Sequence, residues 1–398
     1  MTASDSNPNP APGPEAEGLG IAGRMARTFI HSPLSPLLFL AMLAMGIMAL
    51  VMTPRQEDPQ ISVPMVDLLV AYPGAPAEQV AALATEPLER LMSEIPGVKH
   101  VYSATERGRA VVTVRFKVGE QMGPSLVKVH DKIQSHLDRM PAGVSPPLVK
   151  PKGIDDVPVV TLTLWSRDLD DAAMRSLAHK LLQRYKQIPD TGHGFVVGGR
   201  AEQMKVEVRP ERLKGFGISL DQVAQTIRTA NNEKETGTSE AGNRHYNVYT
   251  GAFLESAADV RNLVVGIHDG TPVYVRDVAR VRQEPEDYRQ VVSYFTGAAH
   301  AGAEVADGAA AVTIAIAKKE GSNGVTVANA ILDMTAALEG RLIPDNVQVA
   351  VTRNYGETAN DKVNELIFKL FVATGAVTVL VFLALGLRPA IVVTVVIP

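Results

Sequence analysis

Two long apolar segments without a charged residue stand near the two ends of the chain, at residues 34–52 and 370–387. Each is close to the ~20 residues that a helix needs to cross a hydrocarbon core of about 30 Å. The stretch between them is rich in Pro, Gly and charged residues, which makes it too polar to enter lipid. The pattern therefore predicts a transmembrane hairpin that carries a large extramembrane domain.

The short basic flanks of these segments predict the orientation of the hairpin. Arg24 and Arg27 precede the first segment and Arg388 follows the second, and such flanks stay in the cytoplasm. A cleaved signal peptide is the alternative for the first segment, but a charged, Pro-containing stretch follows it in place of a small-residue cleavage site. We therefore predict transmembrane helices at residues 24–53 and 363–387, with the large domain outside the cytoplasm.

The two ends of the chain differ in composition. Residues 1–23 are rich in Pro, Ala, Asn and Glu without apolar periodicity, which predicts a disordered cytoplasmic tail. Residues 390–398 begin a third apolar segment that reaches about half the length of a span. Because this segment has no polar face with which to lie at a membrane surface, we predict the start of a truncated third transmembrane helix.

Within residues 54–154 the apolar pattern changes several times between the period of a strand and that of a helix. Pro87 should bend the first helix, because proline lacks the backbone N–H that a helix interior uses. The β-α-β-β-α-β order predicts a ferredoxin-like subdomain. The segments are strand 61–72, helix 76–95, strand 98–105, strand 110–118, helix 126–140 and strand 144–149.

The same alternation recurs in two halves that are far apart in the sequence. Strand patterns at residues 157–165 and 310–317 each precede a helix pattern and a further strand pattern, and the first of these helices is predicted to start at Asp168. Neither half can bury its sheet face alone, so we predict that these two strands lie side by side. The predicted fold is therefore an α/β membrane protein with two ferredoxin-like subdomains, the second formed by residues 155–201 and 296–357 and interrupted by an inserted subdomain at residues 202–295.

The insertion contains a helix pattern with Leu220, Val223 and Ile227, which Ser219 should cap. A further segment of the insertion, residues 231–245, is polar and rich in Gly and has no large aliphatic residue. A core of its own cannot hold it in place. It is therefore either a solvated loop or an arm that reaches a partner, and its length favours a function. The charges available on it are those of Glu233, Lys234, Glu235 and Arg244.

The composition argues against several classes of function. The net charge is −4 over 398 residues and aromatic residues make up only 5%, so no basic surface for nucleic acid is expected. No phosphate-binding GxxxxGK, hydrolase GxSxG or zinc-binding HExxH pattern occurs. The Met and His residues are scattered without ligand spacing, and Cys is absent. We therefore predict a protein that is not an enzyme, with no catalytic residue, bound metal or cofactor.

Seven short segments occur in a definite order along the chain, at residues 29–33 (FIHSP), 54–59 (PRQEDP), 72–75 (YPGA), 96–98 (PGV), 275–279 (VRDVA), 354–358 (NYGET) and 385–388 (LGLR). Together with the two spans and the predicted subdomains, this series resembles the N-terminal part of a resistance-nodulation-division (RND) efflux permease of the AcrB-like hydrophobe/amphiphile group. The resemblance covers residues 24–398 and depends on the whole series.

The resemblance implies a homotrimeric, multi-pass transporter of the bacterial inner membrane, in which proton-motive force drives the export of drugs or amphiphiles. The implied partners are a periplasmic membrane-fusion adaptor and an outer-membrane channel. The first subdomain would lie near a central pore, the second would line the substrate cleft, and the insertion would dock toward the channel. The implied proton-relay residues belong to spans outside residues 1–398, so this fragment alone should be inactive.

The resemblance also implies candidate residues for the substrate pathway. Multidrug members carry pocket Phe residues at positions that correspond to the neighbourhood of Pro158 and Val159 and to that of Val197 and Gly198, where this chain has none. Tyr355 matches a pocket Tyr, and the alternative is a Tyr that seals the edge of a domain. Trp165, the only Trp, ends an alternating strand and is predicted to be a core or hinge residue.

Two alternative functions remain open from the sequence. One is a heavy-metal RND exporter of the Cu/Ag type, which would use Met thioethers as soft ligands. The other is a membrane-anchored extracytoplasmic binding or assembly domain that uses the same βαβ modules.

Overall fold

The computed structural model describes residue 29 and residues 32–57, 61–298 and 305–396. The predicted tail at residues 1–23 lies outside these ranges. Helix α1, Leu34–Met52, belongs to one compact unit, Met1–Pro54, and every other element belongs to a second unit, Arg55–Pro398. Helix α1 coincides with the first predicted apolar segment, and none of its residues is buried.

A four-stranded antiparallel sheet, the first sheet, has the strand order β2-β3-β1-β4. Alternate strand residues such as Val66, Leu68 and Val112 pack with helix residues such as Val80 and Val129 into one core. The predicted β-α-β-β-α-β order is confirmed, although the first helix is divided. Its elements are β1 Met65–Ala71, α2 Ala77–Val80, α3 Glu86–Ser93, β2 Val98–Glu106, β3 Arg109–Phe116, α4 Met122–Gln134 and β4 Leu148–Lys152.

The division of the first helix occurs directly before Pro87. A single π-helical turn, Ala81–Thr85, separates α2 from α3. The ring of Pro87 would clash with the carbonyl of Leu83 in a regular α-helix, and Pro87 has no N–H to donate to it. The wider turn relieves this conflict, so the distortion predicted at Pro87 takes the form of a π turn.

The second sheet begins with β5, Pro158–Trp165, followed by helix α5, Asp171–Tyr185, and strand β6, Thr191–Val197. Helix α5 starts three residues later than Asp168, where we predicted its start. The reason is local, because the Asp170 carboxylate accepts a 2.8 Å hydrogen bond from the backbone N–H of Ala173 and so caps the helix at residue 170.

The insertion has a small core of its own, built from Val and Ile side chains such as Ile218, Val223 and Val275. Strand β7 pairs with β12 along its whole length, and Ser219 caps helix α7, as predicted, by accepting a hydrogen bond from the Gln222 N–H. Its elements are β7 Glu202–Val208, α6 Pro210–Phe216, α7 Leu220–Ala230, β8 Asn232–Ala241, β9 Arg244–Ala252, α8 Ala257–Arg261, β10 Val264–His268, β11 Thr271–Tyr274, α9 Val275–Val278 and β12 Ala279–Pro285.

Strands β8 and β9 form a two-stranded ribbon in which every residue is exposed. The interpretation of residues 231–245 as a loop is therefore wrong. Gly242 and Asn243 both have positive φ angles, 58° and 60°, as the tight turn of a hairpin requires, and Gly and Asn adopt that conformation at little cost. Both faces of the ribbon meet solvent, so the apolar alternation that normally indicates a strand is absent.

The second sheet is completed after the insertion by β13 Ser293–Phe295, β14 Asp307–Lys318, helix α10 Gly324–Leu338 and β15 Gln348–Asn354. Its strand order is β13-β14-β5-β15, and β6 also pairs with β14. Strands β14 and β5 are antiparallel neighbours, with Ile314 opposite Leu162. The predicted pairing of these two distant strands is thus confirmed. Strand β13, at the end of the segment that we assigned to the insertion, pairs with β14 in this sheet.

One face of the second sheet is covered by α5 and α10. Leu162, Leu164 and Ile314 from the strands pack with Tyr185 of α5 and Ile331 of α10. The Tyr185 hydroxyl is 2.9 Å from the Thr335 hydroxyl, and burial raises the pKa of Tyr185 despite this bond. On the opposite face of the sheet, Thr161 and Thr313 are half-buried and Thr352 is exposed.

The described chain ends with helix α11, Tyr355–Leu385, and helix α12, Leu387–Val396. Helix α11 follows β15 directly and begins eight residues before the predicted span at residue 363, because the Asn354 side chain caps it by accepting from the Glu357 N–H. Helices α1 and α11 are both long and apolar enough to cross a membrane, judged by length and composition.

Candidate functional site

The open face of the second sheet, which points away from α5 and α10, is the candidate site. Side chains alternate between the faces of a strand. With Val160, Leu162 and Leu164 packed in the core, the alternate residues of β5 lie on the open face. The same argument applies to β14 and β6. The open face is formed by Thr161, Thr163 and Trp165 of β5, by Ala311, Thr313, Ala315 and Ala317 of β14, by Phe195 and Val197 of β6, and by Ala350, Thr352 and Arg353 of β15, with Arg353 opposite Thr161 after a shift in register.

A chain of four threonine hydroxyls crosses the middle of the open face. The Thr161 hydroxyl is 2.9 Å from that of Thr352, and the Thr352 hydroxyl is 3.1 Å from that of Thr163. The Thr163 hydroxyl is in turn 2.8 Å from that of Thr313. Thr163 is buried, Thr161 and Thr313 are half-buried, and Thr352 is exposed. The polar groups at the middle of this face are therefore neutral hydroxyls.

Larger side chains border the Ala and Thr residues of the open face on two sides. Phe195 and Val197, each 37% exposed, project from β6 beside β14, with Val197 opposite Thr313. At one end the Trp165 ring stacks on the Tyr294 ring, with centroids 5.4 Å apart and planes inclined by 13°. The open face thus has small side chains in its middle and large ones at two of its borders.

The four predicted pathway residues do not come together in one place. Val159 and Tyr355 line a cavity of about 40 Å³ at the end of the sheet, next to Lys318, Asp155 and Glu57. The buried Lys318 ammonium is 3.4 Å from an Asp155 carboxylate oxygen. This cavity is far smaller than the roughly 300–1,000 Å³ typical of drug-sized ligands, so it fits one or a few water molecules.

Val197 and Gly198 lie at the border of the open face, where the geometry explains the absence of a Phe at residue 198. Gly198 is buried and has a positive φ of 82°. A Cβ placed on it would lie 2.5 Å from a methyl carbon of Val292. Neither the backbone conformation nor the space permits a large side chain at this position.

Aromatic residues of the open face come from positions that the sequence interpretation did not single out. Phe195 precedes Val197 by two residues, so the period of a strand would have placed both on one face. Tyr294 belongs to the three-residue strand β13, which is too short to give a periodic signal. Trp165 is 5% exposed and packs in a small cluster with Ala306 and Ala311, which confirms its predicted role as a core residue.

The predicted arm residues Glu233, Lys234, Glu235 and Arg244 all lie on the exposed ribbon of β8 and β9. Within the part of the chain that the structure describes, none of the four makes an ion pair. Their charges are therefore available to a partner.

The described residues offer no built metal site. No group of three or more His, Asp or Glu side chains could hold a metal ion in residues 29, 32–57, 61–298 and 305–396. Met92 and Met174 are fully buried in two different cores, where their flexible side chains fill space.

Comparison with known proteins identifies the family. Multidrug resistance protein MdtC of Yersinia pseudotuberculosis serotype O:1b (strain IP 31758) is 27% identical over 360 residues, which are 90% of this chain and 34% of that protein. The same values hold for MdtC of Yersinia pestis bv. Antiqua (strain Angola). The chain thus spans about a third of the length of these curated relatives. The sequence model of the AcrB/AcrD/AcrF family matches residues 25–398, and the predicted resemblance to AcrB-like RND permeases is confirmed: this chain belongs to the AcrB/AcrD/AcrF family.

Proposed function

We propose that this chain is the N-terminal part of an inner-membrane RND permease that exports small molecules, with the open face of the second sheet as one wall of the substrate pathway. The observation that carries the proposal is an open sheet face with threonine hydroxyls at its middle, bordered by the exposed Phe195 and Val197, in a chain of this family. Contacts with the exposed Phe195 and Val197 would remove the apolar part of a substrate from water, at about 25 cal/mol per Å². Such contacts tolerate many substrate shapes.

The proposal assigns the two sheets and their helices to two ferredoxin-like porter subdomains. The first subdomain would comprise residues 54–154, and the second would comprise residues 155–201 and 296–357. Residues 202–295 would be the docking subdomain, facing an outer-membrane channel, and a periplasmic adaptor would complete the assembly. Helices α1 and α11 would be the first two of several spans, and both sheets would then lie in the periplasm. The apolar character of these two helices supports this arrangement.

Contacts around Arg55 offer a route by which α11 could move the second sheet. The Arg55 guanidinium donates a 2.8 Å hydrogen bond to the Asn360 side chain and a 3.4 Å hydrogen bond to that of Asn364, both on α11. The Arg55 carbonyl accepts a 2.9 Å hydrogen bond from the Gly324 N–H at the start of α10. A shift of α11 in response to protonation elsewhere in the full-length permease would thus reach the helix that supports the sheet.

The export function is tested by comparing the full-length permease with residues 1–398 alone, in a bacterium that lacks its own efflux pumps. With its adaptor and channel, the full-length permease should lower the accumulation of an uncharged dye such as Nile red, and an uncoupler of the proton gradient should abolish the effect. Residues 1–398 alone should leave accumulation unchanged. Export by residues 1–398, or export that survives the uncoupler, would contradict the proposal.

The ribbon of β8 and β9 is proposed to bind a neighbouring protomer of a homotrimer. A lone two-stranded ribbon is at best marginally stable in water, and its unpaired edges and exposed Tyr246 and Val248 favour a partner. The charges of Glu233, Lys234, Glu235 and Arg244 would add weak contacts of about 0–1 kcal/mol each.

We expect that replacing residues 232–252 of the full-length permease by a short Gly-Ser linker loosens the trimer. The linker can be short because Asn232 and Ala252 are paired across the ribbon. Native mass spectrometry after serial dilution should then show monomers at concentrations where the unaltered protein is still trimeric. A single Glu235→Gln exchange is the control and should leave the trimer intact. If the deletion variant stays equally trimeric, the ribbon is only a solvated surface feature.

A further inference from the structure

We propose that the buried ammonium of Lys318 holds together the carboxylates of Asp155 and Glu57. This charge cluster links movement of the chain after α1 to movement of the second sheet, a role that rests on the proposed export function. The cluster joins segments that are far apart in the sequence, since Asp155 and Lys318 are separated by 163 positions.

Lys318, the last residue of β14, places its ammonium inside the protein, and its side chain is only 8% exposed. The ammonium is 3.4 Å from an Asp155 carboxylate oxygen and 3.4 Å from the Lys319 carbonyl oxygen. Both distances are long, since charge-assisted hydrogen bonds of this kind measure about 2.7–2.9 Å. An ammonium has three N–H donors, and burial of its charge is costly unless partners compensate it. Lys318 can therefore take a further acceptor.

Glu57 supplies a suitable acceptor. It lines the same cavity of about 40 Å³ as Lys318 and Asp155. Its Oε2 atom is buried and makes no hydrogen bond to the residues that the structure describes, and an unpaired buried oxygen costs free energy. A water molecule fits in a cavity of this volume and can donate to Oε2 while it accepts from the Lys318 ammonium. The three charges thus complete one another across the cavity.

The charge cluster lies where three segments of the chain meet. Glu57 belongs to the stretch between α1 and the first sheet, Asp155 to a short 3₁₀ turn between β4 and β5, and Lys318 to the end of β14. The backbone reinforces this junction, because the Arg55 carbonyl accepts a 2.9 Å hydrogen bond from the Gly324 N–H at the start of α10. Movement of any one of the three segments therefore acts on the other two.

Charges at this junction serve coupling more than stability. A buried ion cluster is often no more stable than well-packed apolar side chains of the same volume, whereas removal of one partner is strongly destabilising. Packing alone would therefore favour apolar residues here. An ammonium between two carboxylates can shift toward either one as the surrounding segments move, which an apolar contact cannot do. We therefore expect that neutralising the whole cluster restores stability but not export.

The test measures Tm and Nile red export for variants of the full-length permease. Tm is followed by circular dichroism in detergent, and export is compared at equal permease levels, with the adaptor and the channel, in a pump-deficient bacterium. Lys318→Met keeps the length of the side chain but removes the ammonium that both carboxylates face, so Tm should fall by about 5 °C or more.

The triple variant Lys318→Met/Asp155→Asn/Glu57→Gln removes all three charges. Its Tm should return to within about 2 °C of that of the unaltered protein, while its export should stay about fivefold lower or more, as for typical coupling between sites. A second variant, Glu57→Gln, keeps the contact between Lys318 and Asp155. It should stay folded, with a Tm within about 2 °C of the unaltered value, and lose export as the triple variant does.

The matched control is Lys128→Met/Glu120→Gln, which removes a 3.2 Å ion pair whose side chains are 37% and 31% exposed. Neither Tm nor export should change, because accessible ion pairs contribute little. An unchanged Tm in Lys318→Met, or a triple variant no more stable than Lys318→Met, would overturn the charge cluster. Normal export by either Glu57→Gln or the triple variant would overturn its role in transport. If the unaltered permease exports no Nile red, the proposed export function fails, while the Tm values still decide whether the three charges act together.

Discussion

Replacing Gly199 by alanine is expected to destabilise the second sheet strongly. Gly199 has a φ of 69°, and a Cβ on it would lie 2.6 Å from the Asp171 carbonyl oxygen and 2.7 Å from the Cβ of Arg175. The left-handed backbone costs an L-residue about 1–2 kcal/mol, and overpacking adds about 1–3 kcal/mol. The expected total is a loss of about 2–5 kcal/mol in the free energy of unfolding.

The matched control for this prediction is Gly217→Ala at the end of α6. Gly217 has almost the same φ, 66°, but no atom lies within 4 Å of the position that its Cβ would occupy. Only the backbone term of about 1–2 kcal/mol should therefore apply. Thermal unfolding of the full-length permease in detergent, followed by circular dichroism, should show a drop in Tm at least twice as large for Gly199→Ala. Equal drops would show that the crowding around Gly199 is relieved by movement of α5.

Truncating Trp165 to alanine is the second change with a large expected effect. The indole is 5% exposed and stacks on Tyr294, so its removal leaves a cavity between β5 and the β13 segment. Truncations of this kind cost about 3–5 kcal/mol. Since Tyr294 also closes one end of the open face, we expect Nile red export by the full-length permease to fall together with Tm.

Trp165→Phe separates packing from any specific role of the indole. Phenylalanine keeps an aromatic ring against Tyr294 and fills much of the same volume, so the expected loss is about 1–1.5 kcal/mol. Most of the export activity should remain. If the Ala and Phe variants lose equal amounts of stability and activity, the stacked rings of Trp165 and Tyr294 do not define the end of the open face.

Several elements of the fold could be predicted because their signals are local. The apolar segment of α1 and the periodic patterns of β3 and β5 each depend on side chains within one element. The pairing of β5 with β14 was also predictable, since each half of the second sheet had an apolar face that needed a cover. The hydrogen-bonded caps at Ser219 and Asn354 followed from the preference of short polar side chains for helix starts, although only that at Ser219 was predicted.

Other elements gave no usable signal. The ribbon of β8 and β9 has solvent on both faces, so no alternation of apolar and polar residues marks its strands. Strand β13 has three residues, fewer than a period-2 pattern needs. Its strand character comes from pairing with β14, a contact that no local pattern encodes.

The sequence by itself determined the two apolar helices, the alternation of strands and helices, and the family. Only the tertiary structure decided which residues share the open face. Thr161 and Thr352 are separated by 191 positions along the chain, and Phe195 and Tyr294 come from strands that reach β14 from either side of the insertion. Strand register brings these residues onto one surface, and a shift of one residue would turn every side chain of a strand to the other face. Because register is set by hydrogen bonds between distant segments, the composition of the site could not be read from local patterns.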